Sequence, residues 1–516
     1  MTSPHTSTHY GSILPQDQYN QELVNNVHPP QWHNPTPSGR YNLVVIGAGT
    51  AGLVTAAIAS ALGAKVALIE RHLMGGDCLN VGCVPSKSVI RAAKAWTAVR
   101  EAEQFGVHVS GEVKRDFGEA MARMRKLRAR ISHVDSAHRY AKLGVDVFIG
   151  NGRFTSSSSI DVDGTTLQFS KAVICTGARA TAPSIPGLAQ TSYLTNETIF
   201  SLTELPRRLG VIGAGPIGCE LAQSFARFGS QVYLVEAMHG ILPSEDRDAA
   251  NIVEASLLRD GVQLLCCGKD LKIRSASETK HLSVNSHGQN YDMPVDELLV
   301  GVGRSPNIEG LGLETVGVEY EKTGVTVNHR LQTTNPRIFA AGDICSPFKF
   351  THTADAQAQI VIQNALFPHP FGLGYASTDN LVIPWSTYTQ PEIAHVGLYE
   401  KDAETKGIPI DTFTFYLNEV DRAILDGEEQ GFARVHVKKG TDTILGATIV
   451  ASHAGDMISE FTLAMKGKLG LNTIASTIHP YPTQAEVVKK TANAWRKTTL
   501  TEWKKQFLRK LFSWQR

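Results

Sequence analysis

The sequence predicts an α/β protein with two Rossmann-type domains, because one supersecondary unit occurs twice along the chain. Each unit has an apolar strand, a glycine-rich turn, a helix and a second strand that leads into a glutamate. The turns are 47–52 and 213–218, and the glutamates are Glu70 and Glu236. In both units the acid follows the first glycine by 23 positions. A lone G-x-G-x-x-G turn is weak evidence, but two complete units in phase indicate two dinucleotide sites.

The three glycines of each turn have different physical roles. The first permits the tight turn, the second lets the backbone approach a pyrophosphate, and the third lets the helix pack closely on the strand. They are Gly47, Gly49 and Gly52 in the first unit, and Gly213, Gly215 and Gly218 in the second. The acid accepts hydrogen bonds from ribose hydroxyls, and a carboxylate at Glu236 would repel a 2′-phosphate. We therefore expect the second site to prefer NADH to NADPH. The plainer alternative is that these glycines only pack helix against strand.

Length, composition and charge restrict the class of protein. A chain of 516 residues is too long for one hydrophobic core and predicts about three domains. Its 50 Lys+Arg against 49 Asp+Glu give a net charge of +1. No long-range electrostatic field therefore favours binding of nucleic acid, and small, roughly neutral molecules are the expected partners. Seven cysteines are too few for a disulfide scaffold and indicate a reducing, cytoplasmic setting. Residues 1–39 contain no Lys or Arg and no signal-length apolar run, which predicts a disordered or loosely packed leader.

Cys78 and Cys83 stand out among the cysteines because glycines and polar residues surround them. Four residues lie between them, enough for one helical turn to bring the sulfurs within bonding distance, and Gly76 permits close approach of a flat cofactor. The pair is predicted to cycle between dithiol and disulfide; the alternatives are a static disulfide or two core thiols. The other five are predicted to be structural. Cys175, Cys219 and Cys345 are assigned to packing, and Cys266 and Cys267 to opposite faces of a strand.

The most specific pattern of the chain surrounds this pair and reads Gly-Gly-Asp-Cys-Leu-Asn-Val-Gly-Cys-Val-Pro-Ser-Lys over residues 75–87. It resembles the class I pyridine nucleotide-disulfide oxidoreductases, the family of dihydrolipoamide dehydrogenase, glutathione reductase and mercuric reductase, and looks most like the mercuric-reductase-like branch. The resemblance covers about residues 41–495, and three further motifs follow in the family's order, at 172–177, 301–307 and 339–343. It implies FAD in the first nucleotide site, a nicotinamide nucleotide in the second, and a C-terminal α+β dimerisation domain.

The resemblance also implies roles for single residues. Cys83 would be the charge-transfer thiol against the flavin and Cys78 the interchange thiol that meets substrate. Lys87 would lie near the flavin, paired with Glu220, where a lysine favours thiolate and reduced flavin; the alternative is a surface lysine. Asp343 would bind the ribitol of FAD. Further cofactor contacts are implied at Glu70, Gly76, Thr176, Gly177 and Gly303.

The C-terminal motif departs from the disulfide reductases of this family. Those enzymes carry a histidine five residues before a glutamate and supply both to the partner subunit's site. Here Tyr481 stands five residues before Glu486, and His479 is two residues out of register. Mercuric reductases also have a tyrosine there. The resemblance therefore implies a homodimer in which Tyr481 and Glu486 complete the partner's site. It favours reduction of a mercuric ion held as substrate at Cys78 and Cys83, with no permanent metal, over disulfide reduction.

Two departures leave the electron acceptor open. Mercuric reductases carry a vicinal cysteine pair near the C-terminus, whereas no cysteine follows Cys345 here, and the Cys-rich N-terminal domain often found in them is missing. The enzyme either reduces mercury without these thiols or serves another oxidant, such as a small disulfide or a quinone. A further alternative is a catalytically weak flavin- and NAD-binding protein that senses redox state or supports assembly, because the usual histidine is absent.

These motifs predict the domain organisation. The segments are a disordered leader (1–39), a first FAD-binding part (40–190), a nicotinamide-nucleotide-binding domain (191–310), a second FAD-binding and central part (311–375), a dimerisation domain (376–495) and a basic amphipathic tail (496–516). His395 and His453 of the dimerisation domain are assigned structural roles because neither falls on a catalytic position of the family.

The tail combines apolar residues at near-helical spacing with cations. The apolar residues are Leu500, Trp503, Phe507, Leu508, Leu511, Phe512 and Trp514, and the cations are Lys504, Lys505, Arg509, Lys510 and Arg516. Such a helix would suit packing onto the protein's own dimer, since any docked terminal helix needs a stripe of apolar residues. It would also suit the surface of an anionic membrane, where a cytoplasmic enzyme would be held peripherally.

Overall fold

The computed structural model describes residues 13–111, 113–276 and 279–516 and divides the chain into two compact units. The first unit contains the described residues up to Gly213, together with Ser224–Val235 and Gly268–Leu381. The second contains Ala214–Gln223, Glu236–Cys267 and Val382–Arg516.

Helices and strands are mixed along the described residues of the chain. The α-helices are α1 (Gln18–Val27), α2 (Thr50–Ala61), α3 (Gly76–Asn80), α4 (Cys83–Arg100), α5 (Phe117–Ser132), α6 (Ala137–Lys142), α7 (Pro216–Phe228), α8 (Arg247–Arg259), α9 (Thr351–Leu366), α10 (Glu400–Thr405), α11 (Asp421–Asp426), α12 (Ala454–Lys466), α13 (Leu471–Ser476), α14 (Glu486–Thr498) and α15 (Glu502–Trp514). The strands are β1 (Arg40–Ile46), β2 (Val66–Glu70), β3 (Val145–Ile149), β4 (Gly152–Ser156), β5 (Ser159–Val162), β6 (Thr165–Ile174), β7 (Ala178–Ala180), β8 (Arg208–Ile212), β9 (Gln231–Val235), β10 (Gln263–Leu265), β11 (Lys269–Ala276), β12 (Thr279–Ser286), β13 (Gln289–Val295), β14 (Glu297–Val300), β15 (Arg304–Pro306), β16 (Tyr320–Glu321), β17 (Gly324–Val325), β18 (Ile338–Ala340), β19 (Pro384–Thr387), β20 (Glu392–Gly397), β21 (Ile410–Tyr416), β22 (Phe432–Lys438) and β23 (Ile444–Ala451).

The main sheet of the first unit has the strand order β3-β2-β1-β6-β5-β4, with β18 alongside β6. Strands β1, β2, β3, β6 and β18 pair with one another in parallel, whereas β5 is antiparallel to β6. The last residues of β1 and β6 and all of β18 are apolar and buried, as in strands that are covered on both faces. The register pairs Ile46 with both Ile69 and Ile174, and Ile174 with Ala340. These strands therefore end in line. The turns that follow β1, β6 and β18 begin at one edge of the sheet, where ligands of parallel α/β sheets bind.

A second parallel arrangement in the first unit has the order β9-β8-β14. Ile212 pairs with both Val235 and Val300, so these strands also end in line. An antiparallel sheet of order β11-β12-β13 lies between β10 and β14 in the chain. Two parallel βαβ arrangements with glycine turns at their carboxyl ends confirm the predicted α/β class.

The second unit contains an antiparallel sheet of order β19-β20-β23-β22-β21. Helices α12 and α14 contribute apolar side chains to a common core with its strands, including Phe461 and Val487. His395 on β20 is fully buried, and its Nδ1 lies 2.7 Å from Thr448 Oγ1. An antiparallel sheet with packed helices confirms the predicted α+β domain, and His395 has the structural role that was expected.

The leader contains a docked helix, so the prediction of disorder up to residue 39 is wrong for α1. Leu23 and Val27 of this helix are fully buried in the core of the first unit. Asp17 caps the helix and pairs with Arg125 of α5 at 2.5 Å. The apolar residues of 18–27 recur at helical spacing, and burial of that face offsets the polar composition of the leader. Residues 1–12 lie outside the described residues.

The tail forms the predicted helix, α15, and its aromatic side chains are solvent-exposed. Trp503, Phe507 and Trp514 are 70%, 55% and 87% exposed, and α15 has no buried residue. Across the residues described by the structure, no helix is both long and apolar enough to cross a membrane.

Candidate redox active site

The first glycine turn is a backbone cradle that side chains would fill. Gly47 has φ +101°, and a Cβ there would lie 2.4 Å from the carbonyl oxygen of Cys175. A Cβ on Gly52 would lie 1.8 Å from the Gly47 oxygen, so α2 can approach the turn only through a glycine. Gly76, with φ +57°, approaches the same turn, where its Cβ would lie 2.7 Å from the Gly49 Cα. A turn of bare backbone at a helix N-terminus fits a pyrophosphate.

Glu70 lies at the end of β2 and is oriented toward this turn. Its carboxylate accepts hydrogen bonds from the backbone N–H groups of Ala48 at 2.6 Å and His72 at 2.8 Å. Burial raises the pKa of Glu70. The acid is thus held against the first glycine turn, where a nucleotide ribose would lie.

The second glycine turn has the same hydrogen-bond pattern. Gly213 N donates to Val235 O at 2.8 Å, as Gly47 N donates to Ile69 O at 2.8 Å. The Glu236 carboxylate accepts from Ala214 N at 2.8 Å and from Met238 N at 3.0 Å, the counterparts of Ala48 and His72. The equal spacing in sequence therefore corresponds to equal local geometry.

The redox cysteines lie on two successive helices rather than on one helical turn. Cys78 is on α3, Cys83 begins α4, and Gly82 separates the helices with φ −129° and ψ −114°. A Cβ on Gly82 would lie 2.8 Å from the Asp77 oxygen, so this close return of the chain requires glycine. The expected close approach of the two sulfurs is present, but a break at Gly82 produces it.

The two sulfurs have different environments. A hydrogen bond with Cys83 is the main cause that raises the pKa of Cys78, and burial raises it further. Cys83 is the more exposed of the two and lies at the N-terminus of α4, where the helix dipole favours negative charge. Cys83 Sγ also lies 3.5 Å from Thr351 Oγ1 at the start of α9. The geometry favours a Cys78 thiol that donates to a Cys83 thiolate.

The segment after β6 is held by the segment that contains β15. Thr176 Oγ1 donates to Asn307 O at 2.8 Å, and Asn307 N donates to Gly177 O at 2.9 Å. Gly303 has φ +74°, and a Cβ there would lie 3.0 Å from Thr181 Oγ1. Thr176, Gly177 and Gly303 therefore belong to one hydrogen-bonded junction at the edge of the sheet.

Asp343 lies in a partly buried chain of charges. Arg304 pairs with Asp77 through Nη2, and its Nε lies 3.6 Å from Asp343 Oδ2. Burial raises the pKa of Asp343, and Arg304 opposes that shift. Arg304 Nε is buried and makes no hydrogen bond with any residue that the structure describes. A carboxylate and an unused N–H donor side by side fit a polyhydroxy chain such as ribitol.

Lys87 and Glu220 belong to different units, and their pairing stays a prediction. Lys87 is on α4, one turn after Cys83, and is partly exposed. Glu220 is on α7 and buried, and its carboxylate accepts from Tyr388 N at 2.9 Å.

Tyr481 and His479 differ sharply in the solvent exposure of their side chains. Tyr481 is 69% exposed, and its hydroxyl donates to Asp421 Oδ2 at 2.8 Å, which raises the pKa of the phenol. The His479 side chain is only 7% exposed, and its Nε2 lies 3.0 Å from Glu460 Oε1. Glu486 begins α14. Tyr481 therefore presents its ring to the surroundings, whereas His479 is engaged within its own unit.

Three residues of the site were missed from the sequence: Thr351, Arg304 and Asp77. Arg304 stands inside the recognised 301–307 motif, and Asp77 stands between Gly76 and Cys78. Both residues lie within recognised motifs, but neither spacing nor composition indicates that two carboxylates share one guanidinium. Thr351 is 268 positions from Cys83 and has no local signal.

The strand assignment of Cys266 and Cys267 is wrong. Strand β10 ends at Leu265, and Cys267 has φ +53°, so the chain turns where a continued strand was expected. In such a turn, neighbouring side chains need not point to opposite faces as they do in a strand.

The chain belongs to the pyridine nucleotide-disulfide oxidoreductase family. Residues 41–358 match the family model described as pyridine nucleotide-disulphide oxidoreductase, and residues 383–492 match its dimerisation domain. The protein is therefore a flavin-dependent oxidoreductase that uses FAD and a nicotinamide nucleotide, and the dimerisation domain supports a homodimer.

The chain is similar to relatives that are named as different enzymes. It is 34% identical over 451 residues to a mercuric reductase of Lysinibacillus sphaericus, covering 87% of this chain and 81% of the relative. It is 33% identical over 457 residues to a dihydrolipoyl dehydrogenase of Chlamydia muridarum, covering 87% and 95%. A solved Cu(II) complex of the HOCl-induced flavoprotein disulfide reductase RclA from Escherichia coli is similar with a TM-score of 0.76 and 29% identity, covering 87% of this chain and 98% of that one.

Proposed function

We propose that this enzyme passes an electron pair from NADH, by way of FAD and the Cys78–Cys83 pair, to a thiol-bound metal ion, with the mercuric ion as substrate. Tyr481 carries this proposal, because it occupies the position where the disulfide reductases of this family have a histidine. When FAD is bound at the first glycine turn, it would accept a hydride from NADH and provide an electron pair to the cysteines. In the homodimer, Tyr481 and Glu486 would complete the partner's site.

The electrostatics of Tyr481 favour a metal substrate over a disulfide. Disulfide reduction needs a base that takes the proton of the Cys78 thiol and returns it to the leaving thiolate. The hydrogen bond to Asp421 raises the pKa of Tyr481, so the phenol stays protonated near neutral pH and cannot be that base. A soft metal ion needs no base, because it displaces thiol protons itself.

The cysteine pair can act as a dithiolate. The Cys78 and Cys83 sulfurs would bind Hg(II) with release of the Cys78 proton and any proton on Cys83. Transfer of two electrons to the bound ion gives elemental mercury and leaves the two thiolates, which are ready for the next ion. The Cu(II) complex of the RclA relative supports metal binding by this class of enzyme.

The geometry of Glu236 supports NADH as the electron donor. Its carboxylate is held at the second glycine turn by Ala214 N and Met238 N. A negative charge there accepts hydrogen bonds from ribose hydroxyls and repels a 2′-phosphate.

A substrate comparison tests the proposed acceptor. We would follow anaerobic NADH oxidation by the dimeric holoenzyme with a mercuric dithiolate, lipoamide, glutathione disulfide and a quinone. The mercuric complex is expected to be turned over fastest, and Tyr481→Phe should slow that turnover more than it slows flavin reduction by NADH. Tyr416→Phe, another exposed tyrosine of the second unit, is the matched control.

Efficient turnover of lipoamide or glutathione disulfide would overturn the metal assignment. In that case the disulfide reductase alternative, favoured by the dihydrolipoyl dehydrogenase relative, would stand. An NADH titration distinguishes both kinds of reductase from a catalytically weak protein that only senses redox state. An enzyme should accept two electron pairs per flavin, whereas a flavin that stays oxidised would indicate a binding protein.

We also propose that α15 attaches the enzyme to anionic membrane surfaces. Trp503 and Phe507 stack at 5.8 Å on the exposed helix, and Lys504, Arg509 and Lys510 lie in the same helix. Each cation near an anionic surface contributes about 1 kcal/mol, and aromatic insertion adds to it. Because α14 ends at Thr498, truncation after Thr499 removes α15 without shortening α14. The full chain should co-sediment with phosphatidylserine vesicles and the truncated chain should not; equal binding by the two would contradict the proposal.

A further inference from the structure

Three metal-ligating side chains of the second unit meet beyond the end of β10. Cys266 and Cys267 follow Leu265 directly, and His239 lies three positions after Glu236. The Cys267 sulfur lies 3.5 Å from His239 Nδ1. The ligand atoms of His239, Cys266 and Cys267 all lie within 4.8 Å of one another. The mechanism proposed above uses none of these residues.

The backbone holds this cluster together. Cys267 has φ +53°, a conformation that non-glycine residues rarely adopt, and this turn lets adjacent sulfurs share one side of the chain. Its N–H donates to Met238 O at 2.9 Å, which ties the cysteine turn to the loop that carries His239. The cluster therefore rests on a defined backbone contact as well as on side-chain positions.

The ligand types and distances suit zinc. Zinc sits about 2.3 Å from a thiolate sulfur and about 2.0–2.1 Å from an imidazole nitrogen, so tetrahedral ligand atoms lie about 3.3–3.8 Å apart. The 3.5 Å contact of Cys267 with His239 already has that length. His239 is exposed, so rotation of its side chain can shorten a longer separation.

We propose that His239, Cys266 and Cys267 form a zinc(II) site that is separate from the redox cysteines. Two thiolates and an imidazole are a ligand set that zinc prefers, and each cysteine thiol releases its proton when the ion binds. A tetrahedral ion needs a fourth ligand. Water can supply it.

The site is connected to the nicotinamide-nucleotide site by two hydrogen bonds. Met238 O accepts from Cys267 N at 2.9 Å, and Met238 N donates to Glu236 Oε1 at 3.0 Å. Zinc would fix the position of residues 236–239 and so change the affinity for the nucleotide. This second part rests on the proposed role of Glu236, whereas zinc binding itself does not.

Zinc binding is tested without the redox thiols. The full-length holoprotein would carry Cys78→Ser and Cys83→Ser, be reduced with a phosphine, freed of metal with a chelator, and titrated with zinc against a chromophoric chelator. We expect about one zinc per chain, with affinity at least about tenfold lower after His239→Ala, Cys266→Ser or Cys267→Ser. Cobalt(II) in place of zinc should give a thiolate charge-transfer band that weakens in each cysteine variant.

The controls are His453→Ala, an exposed histidine, and Cys345→Ala, and both should leave zinc affinity unchanged. Zinc affinity equal to that of the parent protein in the His239 and both cysteine variants would overturn the proposal. Failure of the parent protein to bind zinc would overturn it as well.

The connection to nucleotide binding has a separate readout. In the same Cys78→Ser, Cys83→Ser protein, the dissociation constant for NAD⁺ should change by about threefold or more when zinc is added. His239→Ala should remove this response. An unchanged constant with zinc bound would overturn the connection and leave the site. A Glu236→Ala variant that binds NADH normally would instead contradict the proposed function while leaving zinc binding intact.

Discussion

Arg304 Nε lies 3.6 Å from Asp343 Oδ2, while Nη2 of the same guanidinium pairs with Asp77. One cation thus connects the residue before the redox cysteine Cys78 with the acid predicted to bind the ribitol of FAD. The Arg304 side chain is 20% exposed, so the pairing is largely shielded from water. We expect this guanidinium to hold Asp343 in the form and position that flavin binding needs.

Substitution of Arg304 should weaken flavin retention. Arg304→Leu removes the guanidinium that two partly buried carboxylates share, which costs about 2–4 kcal/mol in free energy of unfolding or of flavin binding. The measurement is the flavin-to-protein ratio after gel filtration together with the midpoint of unfolding. Arg179→Leu is the control, because its pair with Glu309 is exposed and is worth about 0–1 kcal/mol. Full flavin retention by Arg304→Leu would show that Asp343 does not depend on it.

The two cysteines should respond differently to substitution. Cys83→Ser should abolish the long-wavelength band that a thiolate gives against oxidised flavin, because Cys83 is the hydrogen-bond acceptor of the pair. Cys78→Ser should keep that band and lose reduction of metal or disulfide substrates. Absorption spectra and turnover measure the two effects. A Cys78→Ser enzyme with full activity toward these substrates would refute the division of roles.

Glu236→Ala should weaken the use of NADH by about 1–3 kcal/mol, since hydrogen bonds from ribose hydroxyls to a charged acceptor are lost. The measurement is kcat/KM for NADH and for NADPH, and the ratio between them should fall. Glu254→Ala, on α8, is a control acid of the same unit. A parent enzyme that prefers NADPH would show that the acid is not directed at the ribose.

The docked leader helix should contribute to stability. Leu23→Ala removes a fully buried side chain and should lower the free energy of unfolding by about 2–5 kcal/mol. Leu14→Ala, at a side chain that is 60% exposed, is the control and should cost far less. Urea unfolding of the holoenzyme measures both. Equal midpoints for the two variants would mean that α1 is not part of the cooperative core.

His395 should make the second unit sensitive to acid. Burial lowers the pKa of His395 to about 3 from 6.5, so below pH 6.5 the unfolded chain binds a proton that the folded chain does not. The stability associated with neutral His395 is therefore present above pH 6.5 and is lost progressively as the pH falls toward about 3. His395→Gln should flatten that part of the stability–pH curve, even if it lowers the maximum. An unchanged slope between pH 6.5 and 4 would contradict the assignment.

Much of the fold could be predicted because its signals are local and repeated. The strand, glycine turn and acid of each unit lie within about 25 residues, and the hydrogen bonds of Glu70 and Glu236 repeat each other almost atom for atom. The cysteine motif was equally local. Family membership followed from the order of these motifs along the chain.

The parts that could not be predicted depend on contacts between distant segments. The docking of α1 needs Arg125 and Arg128, which are about a hundred positions later in the chain. The role of Arg304 needs Asp77 and Asp343 from two other segments. The turn at Cys267 replaced an expected strand because one left-handed residue ended it, and the chemistry of a cysteine does not reveal its backbone angle.

The position of α1 has a consequence for how the protein is made. Its main partner, α5, begins at Phe117, 90 positions after α1 ends at Val27. On the ribosome the apolar face of α1 leaves the exit tunnel well before that partner has been synthesised. Until then α1 lacks its main helical partner, so ribosome-bound chains that stop before residue 117 should bind a chaperone more strongly than chains that extend past α5.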